Sequence, residues 1–469
     1  MIKQICYLIL FCTGTLTLQA QKFPVDTLLY HGDPGKYINF VFLGDGFTAT
    51  EQDKFISEAR NVLEYFFKQE PWSYYKNYFN AFAVKVISKE SGAIHPHTAS
   101  DCDKANVPIS NPDNYFMSSF DVSGIHRLVV PRKLPDVVKV LAANMPQYDQ
   151  AIIIVNSPYY GGSGGDFATL TTDKNSADVA AHEIGHSFAQ LSDEYWAGDV
   201  YAGERVNMTK ESDPNKVKWK NWIGVNEVGV YKYCCGGQSE FWNRPHLRCK
   251  MGQLNAPFCK VCSEAIVEKI HKLTNPIVDF TPSNLKMDAT SQPVTFRLSA
   301  LMQPEPNTLH ITWELDAQEI SGNNDQVTIN FDTLSPGLYD LTATVVDTTD
   351  IVRVDDHQWL HFNTVSWTIN KMKSSGTVVT ASVNKIAYTV YPNPVSDALI
   401  VTIEGQQPVK NLYVGVFSSD GRLVHNIAND VDVADTLQLT SDISHLPAGN
   451  YYIVFRTKST VKSLSIHKL

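Results

Sequence analysis

His182-Glu183-Ile184-Gly185-His186 places two imidazoles four residues apart. On an α-helix that spacing puts both on one face, close enough to share one zinc ion. The glutamate after the first histidine stands where it can take a proton from a water on that ion. The pattern points to zinc-assisted hydrolysis. A chance match on an exposed helix is the plain alternative, and the carboxylates that follow at once weigh against it. Two histidines leave zinc short of protein ligands, so a third is required. Asp193 is the predicted ligand. On a continuing helix it would share the histidine face but lie about 10 Å further along the axis. The helix is therefore expected to end near Ala189–Leu191 and the chain to turn back. Glu194 is the next candidate, and Glu264 on a later helix the one after. Tyr195 could stabilise an oxyanion or pack the turn that holds Asp193.

The elements that must carry these residues read as an α/β domain over 21–275. Ser176 or Asp178 is positioned to cap the histidine helix. Ile38–Leu43, Ala81–Ile87 and Ala151–Val155 have the composition of buried strands. Glu51, Phe55, Ala59, Val62, Leu63 and Phe66 have amphipathic-helix spacing, with Thr50 as the expected cap. The Gly161–Gly165 loop lacks the lysine of a phosphate loop. It would instead let a substrate backbone approach and pair as an added strand, or serve as a plain surface turn. Beyond Pro276 the texture changes to alternating strands, such as Val294–Leu298, His310–Leu315, Leu338–Val346 and His361–Ile369. Some seven short strands around a central tryptophan predict an immunoglobulin-like β-sandwich over 276–370. Residues 371–385 read as a Ser/Thr/Val-rich linker. Residues 386–469 read as a small β-sandwich with a hairpin at Asp420-Gly421 and a turn at Pro447-Ala448-Gly449.

Several stretches also resemble known families. Met251, in the tight segment Arg248-Cys249-Lys250-Met251-Gly252, is similar to the Met-turn of metzincins, although a lone methionine usually just fills a core. The run His-Glu-x-x-His-x-x-x-x-Leu-x-Asp-Glu-Tyr resembles the bacterial family that includes the IgA-cleaving metallopeptidase. So do Cys-x-Met with Phe258-Cys259-Lys260-Val261-Cys262, Phe42–Thr48, Ser88–Gly92 and Tyr160–Gly165. This resemblance spans about Tyr37 to Leu273. It implies a metzincin-like, secreted zinc endopeptidase acting on protein or peptide, with His182, His186 and Asp193 as ligands and Glu183 as base. It implies nothing about which protein is cut. Sixteen residues, Gln21 to Lys36, precede that region, so the N-terminal β-domain of some relatives is not expected here. The last 80 or so residues resemble the C-terminal sorting domain of the type IX secretion system of Bacteroidetes. That implies export to the cell exterior or surface by the type IX machinery. A plain carbohydrate-binding β-domain is the alternative.

Composition fits an exported multidomain chain. Of 469 residues, 39 are Lys or Arg and 49 Asp or Glu, a net charge of -10. The lack of a basic cluster argues against nucleic acid or anionic membrane as partner. Met1-Ile2-Lys3, the apolar run Cys6–Leu18 and Leu18-Gln19-Ala20 predict a signal peptide over 1–20, and no transmembrane anchor is expected. Six cysteines follow it: Cys102, Cys234, Cys235, Cys249, Cys259 and Cys262. Five of them crowd together, as disulfides in an exported protein or as four ligands of a structural zinc. A catalytically silent surface adhesin on a peptidase fold is the reading from another class, and the intact His182, Glu183 and His186 stand against it.

Overall fold

The strand Ile38–Asp45 (β2) is buried at every position. Its two faces feed two different cores. Phe40 and Phe42 join one apolar cluster, while Val41 and Leu43 join the other. Strands buried on both sides are what a largely parallel sheet between helices demands. In this computed structural model, which describes residues 21–469 except 197, 235–236, 290–292, 356, 358–360, 372–385, 406–407 and 459, that sheet organises the first domain. The signal-peptide segment and all of the linker but its first residue lie outside the described residues.

The sheet contains β1 (Val25–Leu29), β2, β3 (Phe79–Val84), β6 (Gln150–Val155), β7 (Gly162–Ser163) and β8 (Ala168–Thr171). The short β4 (Ser118–Ser119) and β5 (Val130–Pro131) pair separately. The order is β1-β3-β2-β6-β8-β7. β3, β2, β6 and β8 run parallel; β1 and β7 are antiparallel edges. One face packs on α1 (Gln52–Phe66), α3 (Ser176–Ala189) and α4 (Lys260–Leu273); the other packs on α2 (Leu134–Asn144).

The amphipathic spacing is realised in α1, where Phe55, Ala59, Val62, Leu63 and Phe66 are buried. Its cap differs from the expected Thr50. A 3-10 turn, Ala49–Glu51, precedes the helix, and Thr48 caps it. The Thr48 N–H and hydroxyl both donate to Glu51 Oε2, each at 2.9 Å. Two motif segments brace each other here. Asp45 accepts from the backbone N–H groups of Gly46, Phe116 and Ser118 at 2.9–3.1 Å. Gly46 has φ +73°, and a Cβ there would sit 2.1 Å from the Gly92 carbonyl oxygen. Phe42–Thr48 and Ser88–Gly92 therefore serve the scaffold.

Residues beyond Pro276 form two stacked sheets, Ile277–Thr281/Val294–Leu301/Gln326–Ile329 and Lys286–Ala289/Phe362–Lys371/Gly337–Asp347/Leu309–Leu315/Gln318–Gly322. The expected central tryptophan is a stacked pair, Trp313 and Trp367, with centroids 5.8 Å apart. A second sandwich spans Ile386–Lys468 in sheets of three and four strands. The first sandwich packs against the core of the first domain. Met302, Ile351 and Val352 join the α1/α3/α4 cluster. Tyr75 donates to Asp347 at 2.8 Å, and His271 lies 2.9 Å from the same carboxylate. The second sandwich touches the first domain more lightly, through Arg422 to the Gly35 carbonyl and Asn275 to the Asp420 carbonyl.

Candidate metal centre

The histidine helix α3 ends where the ligand spacing requires. Ala189 is its last residue and Gln190 adopts φ 57°, donating its N–H to the Gly185 and His186 carbonyls. The left-handed residue reverses the chain, so Asp193 comes back over the histidines. The N-terminus differs from expectation: Asn175 occupies the cap. Asp178 instead accepts from Tyr65 at 2.8 Å and pairs with the buried Lys250.

Three ligand atoms converge. His182 Nε2 and His186 Nε2 are 3.1 Å apart. Asp193 Oδ1 is 3.0 Å from the first and 3.2 Å from the second. The other nitrogen of each ring faces a backbone carbonyl, His182 Nδ1 to Lys250 O at 3.0 Å and His186 Nδ1 to Leu191 O at 2.7 Å. A carbonyl only accepts, so each Nδ1 carries its ring's proton and each Nε2 presents a lone pair. Two lone pairs and a carboxylate oxygen thus point at one spot, and Asp193 Oδ1 has no properly directed hydrogen bond. A proton can bridge only one pair of these atoms, whereas a divalent cation satisfies all three. The donor set fits zinc. With only protons to share, burial would lower the His186 ring, yet Asp193 and Glu183 outweigh it and hold that ring at about 9. Asp193 is also buried, but its two imidazole partners keep its carboxyl well below the usual range.

A cleft of about 890 Å³ opens over this spot. Glu183, on the same helix, faces into it, and burial pushes its carboxyl above the ordinary carboxylate range. The glycine loop lies directly against the glutamate. A Cβ on Gly164 would fall 2.8 Å from Glu183 Oε2 and 2.9 Å from His186 Cβ. The added-strand idea needs revision. β7 is an edge of the sheet, but its outer side at Gly162 is already paired with Arg127 to Val129. Gly164 and Gly165 lie beyond that pairing. Tyr195 lines the cleft with its ring 6.2 Å from that of His182, and Arg127 sits 5.9 Å above the Tyr195 ring. Arg127 escaped the sequence reading because it lies in no recognisable pattern and arrives from a distant loop.

Met251 is fully buried beneath α3. A Cβ on Gly185 would meet its sulfur at 2.7 Å, so glycine is needed for that approach. The Met251 carbonyl accepts from Glu194 N–H at 2.7 Å, and the preceding carbonyl is the His182 partner. The other candidate ligands go elsewhere. The Glu194 carboxylate turns away from the histidines toward Cys249, Cys259 and Cys262. Glu264 faces the first sandwich and accepts the Arg353 N–H. Among the described clustered cysteines the disulfide expectation holds for Cys234, which is disulfide-bonded. Cys249, Cys259 and Cys262 are free and buried, as is the distant Cys102, and Cys235 is outside the described residues. A further cluster lies at the domain interface: Glu268 takes His357 at 2.6 Å and His361 at 2.7 Å, beside the His271–Asp347 pair, while His271 Nδ1 is buried with no hydrogen-bond partner.

The family model IgA Peptidase M64 matches residues 27–229, and that for the secretion system C-terminal sorting domain matches 389–467. The first match ends before Cys249 and Met251. No curated protein matches the chain. Among solved structures, dimeric latent PorU from Porphyromonas gingivalis is 11% identical over 41% of this chain and 20% of that one, with a TM-score of 0.15. The Bacteroides ovatus mixed-linkage glucan protein SGBP-B is 12% identical over 40% of this chain and 43% of that one, TM-score 0.13. A chimeric titin Z1Z2-Z1Z2 tandem is 13% identical over 41% and 97%, TM-score 0.15. The chain thus spans a fifth of the first and under half of the second, and similarity this slight carries no argument. No helix among the described residues is long and apolar enough to cross a membrane. The chain thus matches the IgA Peptidase M64 model over residues 27–229, and 389–467 form a secretion sorting domain that marks the protein as secreted or displayed at the cell surface.

Proposed function

We propose that the protein is a zinc-dependent endopeptidase of metzincin-like construction, exported by the type IX machinery after removal of a signal peptide over 1–20. In this reading the catalytic domain runs from 21 to 275 and is followed by an immunoglobulin-like sandwich, 276–370. A linker, 371–385, leads to the sorting domain, 386–469. The observation that carries it is the convergence of His182 Nε2, His186 Nε2 and Asp193 Oδ1 on one spot, where a single proton can bridge only one pair of them. These three residues would hold the ion. Zinc there supplies a Lewis acid for the scissile carbonyl and lowers the pKa of water to near neutrality. Glu183, with its basicity raised by burial, accepts the water proton and delivers it to the leaving amine. Tyr195 stays a protonated phenol, because burial and the neighbouring Asp193 both raise it, and can donate to an oxyanion. The cleft wall at Gly164–Gly165 has no side chain to obstruct an extended peptide.

The test is Glu183→Gln, which changes the proton acceptor and none of the three ligands. Cleavage of a denatured generic protein should fall by about two to four orders of magnitude, as loss of a general base does. Zinc content, measured by mass spectrometry, should not change. Wild-type rates in the variant would refute the role of Glu183. A zinc-loaded wild type with no cleavage of any protein would favour the silent adhesin.

A further inference from the structure

Beside the histidine site lies a second set of ligand atoms that the proposed chemistry does not use. Glu194, Cys249, Cys259 and Cys262 place one carboxylate oxygen and three sulfurs within 4.8 Å of one another. All four side chains are buried, Glu194 and Cys262 completely. Cys249 Sγ and Cys262 Sγ are 3.6 Å apart. That is far beyond the roughly 2.05 Å of a disulfide. It is close to the edge of about 3.7 Å that two Zn–S bonds of about 2.3 Å subtend in a tetrahedron. Cys262 Sγ lies 3.2 Å from Glu194 Oε1, and Cys259 N–H points at Cys249 Sγ from 3.3 Å. Cys259 caps α4 and Cys262 sits in its first turn, a position that favours thiolates.

The carboxylate itself is poorly accounted for by protein partners. Glu194 Oε1 accepts from the Asn207 amide at 3.0 Å and faces the Cys262 thiol; Oε2 is buried with no hydrogen bond. An acidic oxygen left so in an apolar interior is costly. A disulfide between Cys249 and Cys262 would leave it uncompensated and strand Cys259 as a lone thiol. Three free thiols in contact are also unexpected in a protein that leaves the reducing cytosol.

We propose that these four residues form a structural zinc site, Cys3Glu, whose ion fixes the Asp193-Glu194 pair. Three thiols release their protons on binding, and the ion bridges three stretches of chain. One is 193–194, which carries the candidate catalytic ligand. The second is 249–251, whose Lys250 carbonyl orients His182 and whose Met251 carbonyl holds the Glu194 N–H. The third is the start of α4. Adjacent carboxylates thus serve two ions on opposite sides of one strand of chain, so the second ion positions Asp193 for the first.

The experiment uses the full chain carrying His182→Ala and His186→Ala, which removes the histidine site and separates this inference from the proposed activity. Loaded with cobalt, this protein should retain a metal ion and show the near-ultraviolet thiolate-to-cobalt absorption that a His2Asp site cannot give. Adding Cys259→Ala should abolish that absorption and lower bound metal by one ion per chain. Loss of a buried cysteine can also unfold the chain, so intact wild-type protein collected outside the cell provides the second measurement. On peptide mapping under denaturing alkylation, Cys249, Cys259 and Cys262 should all be reduced. A Cys249–Cys262 disulfide in that protein, or cobalt bound without thiolate absorption, would overturn the site.

Discussion

Gly164→Ala tests the contact on which the proposed catalysis most depends. The added methyl would lie 2.8 Å from Glu183 Oε2 and 2.9 Å from both Cβ and Cδ2 of His186. Carbon atoms prefer about 3.5–4.0 Å, so the intrusion is at least about 0.6 Å. His186 cannot yield, since its ring is held by the Leu191 carbonyl at 2.7 Å and its backbone is helical. The displacement must fall on the glycine loop or on the Glu183 carboxylate, and either moves the base relative to the substrate. A misplacement near 1 Å can cost about a hundredfold. We therefore expect kcat/KM to drop between about tenfold and a hundredfold, or about 1.4–2.7 kcal/mol in barrier. Zinc content and Tm should stay near wild type. The assay is cleavage of a quenched fluorescent peptide selected from a library, with metal analysis on the same preparation. Gly203→Ala is the control, since nothing lies within 4 Å of its added Cβ. A Gly164→Ala rate within twofold of wild type would refute the reasoning, and so would a loss that tracks zinc release.

Metal affinity should depend on pH. In the metal-free protein His186 is held at about 9, so below that pH the entering ion must displace a proton. Apparent zinc affinity should then fall about tenfold per unit as pH drops from about 8 to 6; competition with a chromophoric chelator measures it, and a flat profile contradicts the assignment. Truncation should separate the two sandwiches. A chain ending at Asn370 should fold and cleave in vitro yet stay in the periplasm of its host. One ending at Asn275 should be strongly destabilised, because it uncovers the cluster that Met302, Ile351 and Val352 complete, at about 1.5–3 kcal/mol for each large apolar side chain. Equal Tm values for the two would show that the first sandwich is only appended.

His182, Glu183 and His186 were legible because helical spacing alone puts such residues on one face, and the need to reach back selected Asp193 over a straight continuation. The buried strands and the face of α1 were legible for the same reason: periodicity is local. The tertiary structure decided what depends on distant segments meeting. It sent Glu194 to three cysteines some 55 to 68 residues on and Glu264 to the sandwich, neither of which its neighbours in sequence announce. It put the cap at Thr48, ahead of the 3-10 turn that leads into α1, rather than at Thr50, because Glu51 closes back on the earlier residue. It covered the outer side of β7 with Arg127–Val129, leaving the glycine loop to serve by close approach to Glu183 rather than by strand pairing. Ligand type and spacing are properties of a segment. Which lone pairs finally share an ion is fixed only when separate segments are packed against one another.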